Sequence, residues 1–321
     1  MKVITRRAAV SGLALTAIGS KWTRADEALN LRITQDTPII LLPFFVAREV
    51  GLWEKNGIQV TPVPAVIGMP NLIAVSGGAL DVGIVAMVAN SIAALNKATV
   101  RPLASYVRFE AMELACKNDL KSAADLPGKK IAILQGTDSQ YYLHLLTQKY
   151  GIASAAFTTV RLNPAEMASA LASGAIDGFV WQEPFLTKAV AVDPNRFHRL
   201  AEPGLMQLNA FAVTSDKAIE QKRPLLVKML KTLDQACDYI AKNREQAVSI
   251  GAKYSQMDPA ITGSIIPRME LSLKLDVPAY AAGMQDIARW AIAENVVRPD
   301  ANIPDFTKYF VPDLLGEARQ A

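Results

Sequence analysis

Two stretches of this sequence repeat each other and decide the fold: residues 74–83 read AVSGGALDVG, and residues 171–178 read LASGAIDG. A proline stands upstream of each stretch, at Pro70 and Pro164, where it suits the first turn of a helix. Each Ser-Gly pair then suits a turn, and a strand follows the next aspartate. The shared order of helix, turn and strand predicts two similar α/β units.

A strand and a Lys-x-Gly-Ile motif also come before each repeated stretch. The strands are Leu31–Thr34 and Lys130–Ile133, and each leads into a polar turn that opens a helix. The motif glycines, Gly57 and Gly151, suit the residue that follows a helix. Strands that alternate with helices predict βαβ units on a parallel sheet in both halves.

The pattern changes after about residue 216. Apolar residues recur there at spacings of three and four, which predicts helices only. The expected helices are Lys217–Lys242, Glu245–Tyr254, Pro259–Ser272, Pro278–Glu294 and Phe306–Ala318. Such a tail has to cover apolar surface, and we expect it to pack on the first lobe.

The composition excludes several classes of protein. The chain has 321 residues, of which 51% are hydrophobic and 20% are charged, so it is neither disordered nor a single small core. Residues 1–25 hold five of the 34 basic residues and none of the 30 acidic ones. The remaining chain carries 29 basic and 30 acidic residues. This near balance argues against nucleic acid as a partner.

The first 25 residues read as an export signal. A basic start that contains Arg6 and Arg7 is followed by a short apolar run and small residues before the expected cleavage site. The arginine pair indicates the twin-arginine route, and a Sec signal with an incidental arginine pair is the alternative. We expect a mature periplasmic chain that begins near Asp26.

Two cysteines and two histidines leave little for metal or covalent chemistry. Cys116 lies in a strand-like run and Cys237 in an amphipathic helix. We predict two free, buried thiols, and a bridge between them is the alternative. His144 and His198 do not stand beside a nucleophile in the sequence. The sequence therefore indicates no metal, no cofactor and no catalytic residues.

Five segments together resemble the solute-binding proteins of ABC importers for nitrate, sulfonates, taurine and thiamin-pyrimidine precursors. They read PFFVAREVGLW at 43–53, SGGALDVG at 76–83, DLPGKKIA at 125–132, QGT at 135–137 and WQEPF at 181–185. The resemblance implies a type II periplasmic-binding-protein fold, in which two α/β lobes joined by two hinge strands hold the ligand between them. It places lobe 1 at 29–112 and 216–321, lobe 2 at 113–215, and the hinge strands near Met112–Lys117 and Asn209–Ser215.

The resemblance also implies a function. A monomeric extracytoplasmic protein would capture a small organic solute and deliver it to a permease and an ATPase at the inner membrane. The alternative is an enzyme of the same fold that acts on a small heterocycle such as a pyrimidine precursor. The pyrimidine-synthesising enzymes carry a cysteine-rich motif, which the two isolated cysteines do not match.

Candidate ligand-binding residues lie where strands end and helices begin, because ligands of open α/β sheets bind there. Ten stand at such ends: Gln35, Asp36, Thr37, Met87, Gln135, Gly136, Thr137, Asp138, Trp181 and Glu183. Arg108 and Asn209, near the expected hinge, complete the set. Thr137 with Gln140 also fits a capping box.

Three residues suggest the kind of ligand. Trp181 offers a flat apolar face, and Glu183 is expected either to accept an N–H of the ligand or to cap the next helix. Arg108 is a candidate partner for a carboxylate or sulfonate. The acids at 36, 138 and 183 repel a simple anion, so we expect a neutral, cationic or zwitterionic solute. A pyrimidine-like heterocycle and an amino-sulfonate both fit.

Overall fold

The computed structural model describes residues 30–321, so the export signal predicted for residues 1–25 lies outside the described residues. The strands are β1 (Asn30–Gln35), β2 (Gln59–Pro64), β3 (Gly83–Ala86), β4 (Val100–Phe109), β5 (Glu113–Lys117), β6 (Lys130–Ile133), β7 (Thr158–Arg161), β8 (Gly178–Trp181), β9 (Phe197–Leu200), β10 (Leu208–Ser215) and β11 (Glu270–Lys274). The helices are α1 (Leu42–Glu49), α2 (Leu52–Lys55), α3 (Met69–Ser76), α4 (Met87–Leu95), α5 (Asp138–Lys149), α6 (Pro164–Ser173), α7 (Phe185–Val192), α8 (Asp216–Lys242), α9 (Arg244–Ser255), α10 (Pro259–Ile265), α11 (Val277–Ala293) and α12 (Pro312–Gln320).

Lobe 1 contains two groups of paired strands, which one isolated β-bridge connects. β1 and β2 pair in parallel, and the bridge between Ile33 and Val82 connects β1 to the segment that enters β3. The order then continues β3-β10-β4-β11, with β10 antiparallel to both of its neighbours. α3 packs against β3, and the repeated stretch 74–83 contains the turn that joins this helix to this strand.

Lobe 2 repeats this arrangement. Its sheet has the order β7-β6-β8-β5-β9, in which β6 is parallel to β7 and β8. β5 is antiparallel to β8 and β9, as β10 is to β3 and β4 in lobe 1. The two α/β units predicted from the repeat are therefore present, and the α/β fold class is confirmed.

The repeated aspartates explain why the two stretches share a sequence. The Oδ2 atom of Asp81 accepts a hydrogen bond from the backbone N–H of Arg32 at 2.8 Å, and Oδ2 of Asp177 accepts one from the N–H of Lys130 at 2.8 Å. Each aspartate N–H in turn donates to the carbonyl oxygen of the same partner. Asp81 thus ties the segment before β3 to β1, and Asp177 ties the segment before β8 to β6.

The lobe boundaries differ from the expected ones. β10 pairs with β3 and β4, so it belongs to lobe 1, and lobe 2 ends before Leu208 rather than at residue 215. β5 pairs with β8 and β9 inside lobe 2. The expected hinge strands are thus members of the sheets, and residues 110–112 and 201–207 make the two crossings.

The C-terminal segment covers lobe 1. α8 packs against α1, α11 against α4, and α12 against α8. The prediction of one helix over Pro259–Ser272 is wrong, because α10 ends at Ile265 and β11 follows. Pro267 cannot continue an α-helix, and the chain beyond it pairs with the edge of β4 instead.

Cys116 and Cys237 are free and buried, which agrees with the favoured prediction of two free thiols. Burial raises the pKa of each thiol to about 12, so both stay protonated. Over residues 30–321, the structure contains no helix long and apolar enough to cross a membrane.

Candidate functional site

A cleft of about 410 Å³ lies between the lobes. Lobe 1 lines it with Asp36, Thr37, Pro38, Ile40, Val66, Ile67, Gly68, Ala86, Ala89 and Leu208. The first crossing contributes Met112, and lobe 2 contributes Thr137, Asp138, Asn163, Pro164, Ala165, Trp181, Gln182, Glu183 and Phe185. Because both lobes supply walls, a solute held here contacts both of them.

The polar walls come from the ends of parallel strands. Asp36 follows β1 and Asp138 follows β6, which are the equivalent strands of the two lobes. Trp181 ends β8. The local reason is the βαβ order, which brings the carboxyl ends of neighbouring parallel strands to one edge of each sheet. Two such edges face each other across the cleft.

Asp138 is the first residue of α5 and is 6% exposed. Burial raises the pKa of its carboxyl to about 7, and its own backbone N–H is the single group in the described chain that acts to lower it. No ion pair within residues 30–321 includes it. At neutral pH it therefore exists as a mixture of a neutral acid and an ionised carboxylate.

Asp36 has local partners. Its Oδ1 accepts from the N–H of Thr37 at 2.7 Å, and its Oδ2 accepts from the N–H of Ile67 at 3.0 Å. The second bond joins the turn after β1 to the loop after β2. Asp36 thus shapes the lobe 1 wall while it adds negative charge to the cleft.

Glu183 lines the cleft and is already engaged by residues of its own lobe, while its role as the acceptor of a ligand N–H stays a prediction. Its Oε1 accepts from the Arg199 guanidinium and from the Thr187 hydroxyl, and its Oε2 accepts from the Thr187 N–H at 3.1 Å. The bond from the Thr187 N–H supports the alternative role, because it gives one backbone donor of the first turn of α7 an acceptor. Arg199 also donates to Glu113 at 2.8 Å.

Arg108 is not brought to the cleft. It lies in β4, is 5% exposed, and pairs with Glu270 at 3.0 Å. Its Nη2 also donates to the hydroxyl of Ser272 at 2.6 Å. The guanidinium lowers the pKa of Glu270 to about 2, so the charge of Arg108 is compensated within lobe 1. Its expected role as partner of an anionic ligand is therefore corrected.

Other candidates lie near the cleft without lining it. Gln35 and Gln135 are exposed, and Met87 packs against α11, where a Cβ on Gly283 would meet its sulfur at 3.3 Å. Gly136 takes a positive φ of 71°, which indicates a turn role. Asn209 lies in β10, and its Nδ2 donates to the carbonyl of Gln207.

The predicted capping box at the start of α5 is wrong. The Thr137 hydroxyl donates to the carbonyl of Leu134 at 2.7 Å rather than accepting from the helix. The Gln140 side chain instead accepts from the N–H of Gly136 at 2.8 Å, one residue earlier than a capping box requires. Thr137 nevertheless lines the cleft, as does Thr37 on the opposite lobe.

Two further parts of the wall escape the sequence prediction. The loop 66–68 follows β2, and residues 163–165 follow β7. The rule that ligands bind at strand ends was applied to the sequence only after β1, β3, β6 and β8, so these two segments were not predicted. Applied to β2 and β7 as well, the same rule finds both.

The charge of the cleft is one-sided. Three carboxyl groups line it, at 36, 138 and 183, and no Lys, Arg or His of residues 30–321 does. Arg199 does not line the cleft, but its guanidinium compensates the charge of the Glu183 carboxylate. The cleft surface therefore offers a solute hydrogen-bond acceptors and negative charge, on a background of aliphatic and aromatic side chains.

The lobes also touch outside the cleft. Tyr141 of α5 packs on Trp290 of α11 with ring centroids 4.9 Å apart, and His144 approaches the same indole at 5.9 Å. Near the crossings, Arg268 of lobe 1 lies 3.6 Å from Glu113 of lobe 2. These contacts hold the lobes together in the structure.

Comparison with known proteins adds the family. The family model described as NMT1/THI5 like matches residues 40–247. A Brucella abortus (strain 2308) chain described as a binding protein is 30% identical over 218 residues, which is 67% of this chain and 68% of that one.

Solved structures share the fold. The periplasmic aliphatic sulphonate binding protein of Escherichia coli superposes with a TM-score of 0.77 at 20% identity, covering 89% of this chain and 99% of that one. The periplasmic nitrate-binding protein of Synechocystis PCC 6803 gives a TM-score of 0.70 at 15% identity, covering 91% and 88%. These identities show a common fold alone.

Proposed function

The chain belongs to the NMT1/THI5-like family, and from this premise we propose that it is the extracytoplasmic solute-binding component of an ABC importer. The observation that carries the proposal is the cleft of about 410 Å³ with walls from two lobes that are linked by two crossings. A solute that contacts both walls favours the closed arrangement of the lobes, which is the state a permease can recognise.

The alternative of an enzyme has less support. Relatives in sequence are described as binding proteins. The two thiols of the chain are buried in the core and protonated, so they are not activated nucleophiles. The pairing of Glu183 with Arg199 and Thr187 also removes one candidate acid–base group from the reacting space.

The solute is a small organic molecule that is neutral, cationic or zwitterionic. A carboxylate 4 Å from a bound anion repels it by about 4 kcal/mol at an effective dielectric constant near 20. Arg108, the cation that could offset this repulsion, is paired with Glu270 instead. The sulfonate and nitrate in the names of the structural relatives are thus poorer candidates than a pyrimidine-like heterocycle or another amine-bearing solute.

The cellular setting follows from the sequence. Export through residues 1–25, by the twin-arginine route, would place a mature monomer that begins near Asp26 in the periplasm, beside a permease and an ATPase of the inner membrane. Amino-terminal sequencing of the protein from its native source checks this. Retention of residues 1–25 in a cytoplasmic pool would contradict it.

Small-angle scattering and mass spectrometry, carried out with a compound that binds, together test the binding function. A thermal-shift panel of amines, pyrimidines, taurine, sulfonates, nitrate and aromatic acids identifies a stabilising compound. Small-angle scattering with that compound should show a smaller radius of gyration than without it. Mass spectrometry should recover the compound unaltered. An unchanged envelope at saturation counts against a transport role, and chemical turnover of the compound favours the enzyme.

A further inference from the structure

Asp138 differs from the other two acids of the cleft in having no partner on any other residue of the described chain. Asp36 accepts two backbone N–H groups, and Glu183 is paired with Arg199 and Thr187. The Asp138 carboxyl is 6% exposed and lines the cleft, yet no other residue of the described chain donates to it or forms an ion pair with it. A buried carboxylate without a partner is unfavourable, so the arrangement is complete only when something else supplies a donor.

The surroundings restrict what that donor is. The elements packed against the first half of α5 are α4, β8 and, through Tyr141, α11. α4 and β8 contain no titratable residue, and the two charged residues of α11, Asp286 and Arg289, pair with each other. The other titratable groups that face the cleft are Asp36 from lobe 1 and Glu183, which is held by Arg199. All of them are acids. The cleft lining contains hydroxyl and amide groups but, within the described residues, no cationic side chain, so the positive charge that would pair with an ionised Asp138 has to come from the solute.

We propose that the cleft selects an organic cation with N–H donors, a protonated amine or a protonated nitrogen heterocycle on a mainly apolar body, and that the Asp138 carboxylate is its ion-pair partner. This inference rests on the proposed function and narrows its solute class. Trp181, Phe185 and Met112 supply apolar wall for the body of the solute. An ionised Asp138 with a bound ammonium gains both a charge partner and a donor in a low-dielectric site.

Capture of such a cation is linked to the release of a proton. Burial holds the pKa of Asp138 at about 7 in the empty cleft. At pH 6 about a tenth of the molecules carry the ionised carboxylate, and at pH 8 about nine tenths do. The cation binds the ionised form, so at pH 6 Asp138 gives its proton to the buffer as the cation binds. Affinity should therefore rise about tenfold from pH 6 to pH 8 and level off above.

Matched compounds that differ only in their polar group test the charge preference. The probes are 2-phenylethylamine, 2-phenylethanol and 2-phenylethanesulfonate, with the butyl series as a second skeleton. Thermal shift and calorimetry on the full protein should rank each amine above its alcohol and each alcohol above its sulfonate. Calorimetry in buffers of different ionisation enthalpy should show release of about 0.9 proton per amine at pH 6 and about 0.1 at pH 8.

The variant Asp138→Asn isolates the carboxyl. It should weaken amine binding at least tenfold at pH 8 and abolish both the proton release and the pH dependence, while alcohol binding changes little. Asp300→Asn is the matched control, because Asp300 is a fully solvated acid of lobe 1 outside the cleft, with a side chain that is 81% exposed. It should leave all of these readouts as in the unmodified protein.

The outcomes separate this inference from the proposed function. If a sulfonate binds more tightly than its amine and the scattering envelope still contracts, the solute class is wrong and the transport role stands. If an amine binds with proton release but the envelope does not contract, the charge preference stands and the transport role falls. Unchanged amine affinity in Asp138→Asn overturns the assignment of Asp138.

Discussion

At the scale of single residues, the acids of the cleft differ in what their oxygens already accept. Glu183 completes the first turn of α7 and an ion pair, and Asp36 joins two loops of lobe 1. Asp138 is buried at the start of α5 with its binding capacity unused. This acid, at a helix N-terminus, is the proposed partner of the solute, and its unpartnered carboxylate lowers the stability of the empty protein.

Asp138→Asn should stabilise the empty protein at alkaline pH. The pKa of Asp138 is higher in the folded protein, about 7, than in an unfolded chain, so ionisation favours unfolding. This penalty is absent below about pH 4, grows as the pH rises to about 7 and is constant above. We expect the variant to gain about 1–3 kcal/mol at pH 8, with part of the electrostatic gain offset by the unpaired amide. Urea unfolding at pH 5 and pH 8 measures it.

One result of the unfolding experiment would contradict the predicted stabilisation by Asp138→Asn. A gain that is the same at pH 5 and pH 8 would show that Asp138 does not titrate between them. Asp300→Asn serves again as the control and should change the unfolding free energy by less than about 0.5 kcal/mol at either pH.

Trp181→Ala should weaken the binding of an amine probe more than Trp181→Phe. The indole lines the cleft at the end of β8, and its removal takes away apolar wall without removing charge. We expect a loss of about 1–3 kcal/mol for alanine and less than about 1 kcal/mol for phenylalanine. Calorimetry at pH 8 checks both. Equal losses in the two variants would show that the ring does not pack on the solute.

At the scale of elements, buried side chains hold the strand-end loops in place. Asn71 of α3 is fully buried; its Oδ1 accepts from the N–H of Ile84 at 2.9 Å and from the hydroxyl of Thr34. Its Nδ2 donates to the carbonyl of Val66 at 2.6 Å. One amide therefore connects β1, β3 and the cleft loop 66–68 to the helix that carries it.

Asn71→Ala should destabilise the protein and loosen the cleft loop. The substitution leaves the buried N–H of Ile84 and the buried hydroxyl of Thr34 without their acceptor, which corresponds to about 2–4 kcal/mol, and it releases the carbonyl of Val66 in the cleft loop. Chemical unfolding measures the loss, and hydrogen exchange should show faster exchange in 65–70 than in lobe 2. Asn195→Ala, at an exposed turn of lobe 2, is the control. Uniform exchange changes in both lobes would contradict a local role.

At the scale of the whole molecule, contacts between the lobes bias the closed arrangement. Tyr141 of lobe 2 packs at an angle on Trp290 of lobe 1, outside the cleft. Glu113 meets Arg268 near the crossings themselves. The contacts between the lobes favour the closed arrangement, and the conformational entropy of the open arrangement opposes it. A solute that binds both lobes shifts this equilibrium toward closure.

Tyr141→Ala should favour the open arrangement although Tyr141 does not line the cleft. Loss of an aromatic pair of about 0.5–1.5 kcal/mol lowers the closed population by about twofold to tenfold, and apparent affinity for an amine probe falls by up to the same factor. Scattering of the empty protein should show a larger radius of gyration. Tyr254→Ala is the control, since it removes an aromatic pair, with Phe45, that lies entirely within lobe 1. Identical envelopes and affinities for the two variants would rule out the contact as a latch.

The sequence by itself determined the features that depend on neighbours along the chain. The Ser-Gly-x-x-Asp repeat, the prolines that start α3 and α6 and the spacing of apolar residues predicted two α/β lobes and a helical C-terminal cover. The rule that ligands bind at strand ends located Asp36, Asp138 and Trp181 in the cleft. These inferences succeed because helix starts, turns and strand alternation are set by interactions over a few residues.

Only the tertiary structure decided which charges are free. Arg108 finds Glu270, 162 residues away, and Lys222 finds Asp81, 141 residues away. Arg199 compensates Glu183 because β9 lies beside β5 and near the start of α7. The strand β11 likewise exists because the edge of β4 is open to pair with it. Such partners are chosen by the packing of distant segments, so no local pattern revealed that Asp138 alone among the cleft acids has no partner on another residue of the described chain.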